Sequence, residues 1–515
     1  MKILIFLTIL LVSNVFGAIH TVTSSNDSGI GTLREKIEIS ANGDTILFSS
    51  NVNTIWLSGE PYVLEDKVLT IDGGSNEVII NRSNGTGGFF YLLNLDSTFT
   101  DTMSFLNLSL KNGMGSSSTV IQNLGFNIII ENCNILDCSN NTILLSFSYN
   151  YIRIKNTNFY NNTGDYHIIS EKVDLKNIKC QNNDDNNFGI SSDFAIIENL
   201  VFKDNEGHIG IGADSLIFKN SLIASNEFVY PSLRLTSQNG LIRNCTISEN
   251  VNYSLDKFGG GIYIFDSTNV TIENCTITNN WVSTGQLGGG VYNDGGNVLI
   301  KNSIIVDNHW DSIGGVAPSN CYGDFISGGF NIISDSLNST FTGQTFVDFF
   351  NVSLPSVGLL PLADNGGFSK TIGLSPNSIA INNGSQLNSP LTDQRGFLRD
   401  SLPDIGAFEF NAVSKIEENE FVFLELFSLS QNYPNPFNPQ TLINYELGNW
   451  NYESKLVIFN ILGEKVNEFT LTEPQGTVVW NGTNFGNKQV ASGVFFYRIE
   501  TGNKFSQTKK MVFIK

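Results

Sequence analysis

Five acidic residues recur through the middle of this chain, one to a repeat: Glu171, Asp193, Asp214, Asp266 and Asp294, with Gln238 in the intervening place. If successive repeats stack, like charges stand about 5 Å apart, which costs energy unless a cation or a proton intervenes. Their hard oxygen donors would suit calcium. The plainer expectation is that each carboxylate makes a corner turn through its own side chain, with no resident cofactor. A second set is Asp184-Asp185, His208 and Arg153-Ile-Lys155. Paired carboxylates are what an inverting glycoside hydrolase uses as acid and base. Asn/Asp-rich turns generate such fragments readily, so no catalytic residue is assigned; Asp184, Asp185 and His208 stand as the alternative. His20, His167 and His309 have no metal spacing such as His-Glu-x-x-His, and neither a phosphate loop nor a nucleophile elbow is present. Tyr263 and Tyr292 occupy matching places in GGGIY and GGGVY. We expect them to face the core; outward, they could stack on a sugar.

These residues act together only if the chain stacks them, and a repeat says that it does. Asn107, Asn132, Asn156, Asn177, Asn199, Asn220, Asn244, Asn274 and Asn302 follow one another at 25, 24, 21, 22, 21, 24, 30 and 28 residues. Two before each anchor is an apolar residue, from Phe105 to Ile300, and three after it another, counting Cys180. Six after it is Asn in seven cases: Asn162, Asn183, Asn205, Asn226, Asn250, Asn280 and Asn308. Alternate apolar residues turn one strand face inward. The step across the anchor breaks that parity, so a bend there re-aims the chain and a second short strand also faces the core. A turn follows at the second Asn, and a third strand completes the coil, as in 188–193, 209–214, 261–266 and 290–294. Three short strands per coil of about 22 residues make a β-solenoid, here a right-handed parallel β-helix.

Each anchor amide should bond to the next along the axis, about 4.8 Å away, on the inner side of its bend. Cys245 and Cys275 should stack on neighbouring coils as packing thiols, a disulfide being the alternative. The place before each anchor is charged in eight of nine coils: Glu131, Lys155, Lys176, Glu198, Lys219, Arg243, Glu273 and Lys301. It reads as a solvated outer face on which unlike charges meet at several steps.

The β-helix is expected over 19–410, with residues 19–60 as N-terminal cap and 320–410 as C-terminal cap region, because a solenoid exposes its core at both ends. Thr32-Leu-Arg-Glu35 fits a capping box, with Leu33 and Ile37 on one face of a short helix. Asp393, Arg395, Arg399, Asp404 and Glu409 are expected to form a polar lock in the C-terminal cap rather than a catalytic group. Residues 411–428 read as a linker. Residues 429–515 read as a small Ig-like β-sandwich with strands near 456–459, 477–480, 494–499 and 510–514. Residues 1–18 read as a signal peptide: Lys2, an apolar run over 3–12 and the small pair Gly17-Ala18. That run is too short for a transmembrane anchor.

Four stretches resemble known families. TVTSSNDSGIGTLREKIEISANGDTILF, over 21–48, resembles the N-terminal block of many secreted bacterial parallel β-helix proteins. NCYGDFISGGFNIISD, PLADNGGFSKTIGLSPNSIAINNGS and TDQRGFLRDSLPDIGAFEF, in that order, resemble the choice-of-anchor Q β-helix family. That resemblance implies a surface or secreted β-helix with one of several alternative C-terminal anchors, and no established chemistry. The chain departs from it at Ile381-Asn-Asn-Gly384, where the family usually has an Asp. QNYPNPFNPQTLINYEL, VIFNILGEKV, ASGVFFYRI and KKMVFIK closely resemble the type A C-terminal sorting domain of the type IX secretion system. This implies recognition of 429–515 by the outer-membrane translocon, removal of the domain, and release or attachment to surface lipopolysaccharide. Asp184-Asp185, Gly207-His208 and Arg153-Ile-Lys155 resemble pieces of polygalacturonase motifs, but out of order and with Ile209 after the histidine.

Bulk composition narrows the field further. Aromatic content is too high for disorder, with 38 Phe and 15 Tyr. The net charge of −20 argues against nucleic acid and against unaided binding of polyanionic sugars. Six cysteines in 515 residues are not a disulfide scaffold. The sequence therefore predicts an all-β monomer with a Sec signal, and the resemblance of 429–515 to the sorting domain implies type IX export to the surface of a Gram-negative outer membrane or beyond. It would act without catalysis in adhesion or binding of an extracellular polysaccharide. The alternative is a pectate lyase-like or polygalacturonase-like enzyme.

Overall fold

The structure, a computed structural model, describes residues 17–514 apart from 83–86, 95–101, 149, 255–258, 284–286, 313–314, 386–388, 413–426, 430, 448–453, 461–463, 472–474, 487, 502–503 and 506–508. Most of the expected signal peptide and linker lies outside the described residues. The chain is all-β with two short helices and forms a right-handed solenoid of about 12 turns. It divides into two compact units, Met1–Ser414 and Lys415–Lys515.

Parity builds the coil. Leu175, Ile197, Phe218, Ile242, Ile272 and Ile300 follow one another in parallel register on the strand before the anchor, and all are buried. Ile223, Ile247, Ile277, Ile305 and Ile333 do the same after it. Each such side chain contributes about 1.5–3 kcal/mol by leaving water. Four coils add a short fourth track, Glu227–Phe228, Val251–Asn252, Trp281–Val282 and His309–Ser312, closed by the antiparallel Gly315–Pro318.

Two asparagine ladders run along the axis, and they divide the labour differently from the expectation. All nine anchors sit at positive φ, between 48° and 57°, the left-handed region that Asn tolerates. The amides from Asn107 to Asn199 chain together, Asn132 to Asn107 at 3.1 Å, Asn156 to Asn132 at 3.0 Å and Asn199 to Asn177 at 2.8 Å, and Asn244 reaches Asn220 at 3.2 Å, whereas Asn302 turns to Ser389 at 2.7 Å. This ladder lies on the outer side of the bend, however, with Asn132 and Asn156 exposed. The inner ladder belongs to the second Asn: Asn183, Asn205, Asn226, Asn250, Asn280 and Asn308 are buried and linked Nδ2 to Oδ1 at 2.8–3.0 Å. At that turn the left-handed residue is one earlier, as at Asn182, Asp204 and Ser225. It throws its own side chain outward and aims the next one in.

The charged outer row pairs as its signs require: Lys176 with Glu198 at 3.1 Å, Arg243 with Glu273 at 2.9 Å and Lys301 with Glu273 at 3.2 Å. All six cysteines are buried free thiols, Cys245 and Cys275 included. At the N-terminal end the helix Leu33–Ile39 lays Leu33 and Ile37 on the core. Thr32 accepts from Glu35 N at 3.3 Å, while Glu35 reaches back to Gly31 N at 2.6 Å.

Within the expected cap region 320–410, the end of the solenoid is closed by its first part and not by the residues after 350. Phe325, Phe341 and Phe350 close that end among themselves, with ring centroids 5.0–5.1 Å apart. Residues 354–410 instead run back along the second-strand face. There Leu362 and Phe368 cover Val201, Leu222 and Ala224, and Ala380, Ile405 and Phe408 cover Ile304, Val306 and Ile332. The physical reason lies in the covered strands, whose outward residues are apolar or Thr and would otherwise expose a wide apolar face. The expected lock does form, but along this flank. Arg395 pairs with Asp393 at 2.7 Å and Arg399 with Glu409 at 3.0 Å, all four buried. Arg399 also reaches Asn244, and Gln394 meets Thr246. The Asp404 carboxylate takes the backbone N–H groups of Asn382 and Phe410 instead of a guanidinium, and burial pushes Asp404 up and Glu409 up to about 7.

The C-terminal unit has one sheet of Phe427–Leu429, Thr441–Leu447 and Gln475–Trp480. A second holds Ser454–Phe459, Lys465–Leu471, Gly493–Thr501, Lys504–Phe505 and Lys509–Phe513. They share a core around Trp480, Tyr497 and Leu456. The opening motif is built in: Phe437 packs on Trp480 and Phe513, and Asn432 donates to Tyr497 Oη at 2.8 Å and Thr441 Oγ1 at 2.9 Å.

Candidate functional site

The third strand of each coil carries the open face. Its inward places are aliphatic, so parity turns the residues between them outward. In register these are His167, Gly189, Gly210, Arg234, Tyr263, Tyr292 and Tyr322. Two residues further along stand Ile169, Ser191, Gly212 and Thr236. Two neighbouring coils therefore present nothing larger than serine. None of the three glycines has positive φ. A Cβ would meet nothing within 4 Å at Gly210, Ile190 O at 3.9 Å at Gly212, and His167 Nδ1 at 3.5 Å at Gly189. Neither backbone geometry nor packing requires glycine at these places.

Over Gly212 lies an open trough of about 560 Å³, flanked by Ile169, Ser191 and Thr236 and edged by Glu171, Asp193, Asp214 and Gln238. These four follow the register Ser170, Ser192, Ala213, Ser237 by one residue, so adjacent coils do bring Glu171, Asp193, Asp214 and Gln238 into one exposed row. Gln238 donates to Asp214 Oδ1 at 3.0 Å. Beneath the row, the buried hydroxyls of Ser170 and Ser237 have no hydrogen-bond partner among the described residues. The two acids further along the axis have other engagements. Asp266 accepts from Ser267 N at 2.7 Å, a local turn contact, and Asp294 accepts from the Tyr263 hydroxyl at 2.6 Å. Among the described residues no group of three or more His, Cys, Asp or Glu is arranged to hold a metal ion.

Tyr263 and Tyr292 face outward, against the expectation, because Ile262, Ile264 and Val291 take the inward places. With Tyr322 they form a stack, centroids 5.3 and 4.7 Å apart and planes within 10°. The ring faces are spent on one another, so a sugar would meet hydroxyl edges along most of the stack. Burial, helped by Asp294, raises the Tyr263 phenol, and burial pushes Tyr292 up to about 12.

Between glycines and tyrosines stands Arg234. Its guanidinium lies 4.9 Å from the Tyr230 ring and 5.3 Å from the Phe265 ring. His208 Nε2 is 3.4 Å from its Nη1. Burial and that cation push the His208 imidazole down to about 4. The sequence reading missed Arg234 and the glycines; the signal available was glycine at alternate places in FGI and HIGIG.

The alternative catalytic fragments fall on separate parts of the coil. Asp184 and Asp185 are exposed on the turn before the third strand, where Asp184 edges another cavity of about 480 Å³ with Asp204, Glu206 and Glu227. His208 is on the third strand, against Tyr230 and Arg234. Arg153 and Lys155 are on the first, facing Asp174 at 3.0 and 3.9 Å. His20, His167 and His309 each stand beside an aspartate.

Comparison with known families gives two matches. Residues 191–348 match the family described as right handed beta helix region, and residues 431–515 match the secretion system C-terminal sorting domain. The chain matches no curated protein and no solved structure. The sorting domain marks a chain handled by the type IX secretion system, and with it a secreted or cell-surface protein. Among the described residues no helix is long and apolar enough to cross a membrane.

Proposed function

We propose that this secreted or surface β-helix binds extracellular polysaccharide without cleaving it, through the trough on its third-strand face. The observation that carries the reading is a face kept clear by Gly189, Gly210 and Gly212, although a Cβ would come no closer than 3.5 Å to any neighbour at each. Glycine inside a strand costs roughly 0.5–1 kcal/mol relative to alanine, so three without a structural reason point to space kept for a ligand. The exposed carboxylates and amide along its edge are acceptors and donors of the kind sugar hydroxyls meet. In the same reading residues 1–18 direct Sec export, type IX translocation delivers the monomer to a Gram-negative outer-membrane surface or beyond, and the 320–410 blocks are of the choice-of-anchor Q type.

The test is to incubate the full chain with plant and algal polysaccharides, with and without calcium, and measure both binding and new chain ends. Saturable binding with no new ends is expected. New ends that vanish in Asp184→Ala or Asp185→Ala would replace this reading by a hydrolase. Binding only with calcium would seat a cation on the row Glu171, Asp193, Asp214.

A further inference from the structure

Cations on the outer faces of this acidic solenoid mostly have carboxylate partners: Arg153 with Asp174, Lys176 with Glu198, Arg243 and Lys301 with Glu273. Arg234 differs. Its contacts are the Tyr230 and Phe265 rings and His208, and no carboxylate among the described residues pairs with it. The two rings hold the guanidinium in place, and Phe265 is itself braced edge-on by Tyr263 at 4.7 Å. In register beside it is Gly210, where a Cβ would meet nothing within 4 Å. A guanidinium fixed by aromatic rings keeps its fork of donors ready for a planar or tetrahedral anion, and little ordering entropy remains to be lost on binding.

We infer that Arg234 reads a single anionic substituent, a carboxylate or a sulfate, on the saccharide that lies across Gly210 and Gly212. This rests on the glycan reading of the same face. One group is what the surroundings allow. Four residues further along the strand, about 13 Å away, the row of Glu171, Asp193, Asp214 and Gln238 begins, and it repels a second anion while accepting from neutral hydroxyls. The face is thus polarised, cationic where Arg234 stands and anionic at the corner. It suits sparsely charged chains and rejects dense polyanions.

The experiment uses the full chain and an array of oligosaccharides on several backbones, each present as the neutral form, with one carboxylate and with one sulfate. Among bound backbones, a singly charged form should bind at least tenfold tighter than its neutral counterpart at low salt, with the gap shrinking in 0.5 M salt. Whichever charged form gains more names the group. Arg234→Gln should erase the gap and leave neutral binding intact, with Arg234→Lys keeping only part of it. Gly210→Val, which adds a side chain into open space, should lose both classes of ligand with no fall in the unfolding midpoint. Binding without a charge preference, or a preference that survives Arg234→Gln, overturns this inference and leaves glycan binding standing. Failure of every backbone sinks both.

Discussion

Two faces of one solenoid are treated in opposite ways. On the second-strand face the outward residues are Val201, Leu222, Thr246, Thr276 and Ile304, and residues 354–410 bury them. On the third-strand face the outward residues are glycine, serine, one arginine and a tyrosine stack, and the trough stays open. The same segment could not serve both, since its apolar underside needs an apolar partner. A chain that covers one flank with nearly sixty residues and clears the other with glycines has separated stabilisation from recognition.

The comparison breaks first if the covered face is not held by its lock. Arg399 is buried with Glu409, and removing one partner of a buried pair strands the other charge. Arg399→Met should cost about 3–5 kcal/mol in denaturant unfolding at a pH above 8, where Glu409 is ionised; a loss below about 1 kcal/mol would mean that the segment merely rests there. Next is the centre of the tyrosine stack. Tyr292 is packed on both faces and 7% exposed, so Tyr292→Ala should cost about 3 kcal/mol, and Tyr263→Ala at most about half of that. Equal losses would show that the rings act singly and leave the stack no role in bracing Arg234.

A pH dependence follows from the lock. Glu409 ionises near 4.5 in a free chain and near 7 here, so the folded state holds the proton more tightly than the unfolded one. Its contribution is complete below about 4.5, declines as pH rises toward 7, and is flat above. The difference in unfolding midpoint between wild type and Glu409→Gln should change over that window only. A difference that stays constant from pH 4.5 to 8 would mean that Glu409 is ionised throughout and that Arg399 fully compensates it.

The repeat was legible because parity is: nine anchors and their flanking aliphatics left no other arrangement for Ile197, Phe218 and Ile242. What parity does not carry is which side of a turn an asparagine occupies. Asn132 and Asn183 have the same type and similar settings, and only the position of the left-handed residue, at Asn132 itself but at Asn182 beside Asn183, separates an outer ladder from an inner one. The tail was read as an end cap because its ion pairs are recognisable while their partners, Asn244 and Thr246, lie some 150 residues away. The candidate site was half legible. The acid row emerged from spacing, whereas Arg234 emerged only when its lack of a carboxylate could be compared with the pairing around it.

The smallest expected change in stability is the one that most sharpens the contrast between the two faces. Gly212→Val adds a β-branched side chain to a strand interior where glycine is unfavourable, at ordinary φ, with its Cβ no closer than 3.9 Å to Ile190 O. If the floor were structural, the substitution would destabilise; as the contacts stand it should stabilise by up to about 1 kcal/mol, read from the urea midpoint. On the covered flank the opposite holds at Gly406, where φ is 100° and a Cβ would lie 2.8 Å from Ile304 Cδ1, so Gly406→Val should destabilise sharply. A gain at Gly212 together with lost polysaccharide binding would separate the glycine that serves a ligand from the glycine that serves the fold. A loss at both positions would mean that the clear face is only another constraint of the coil.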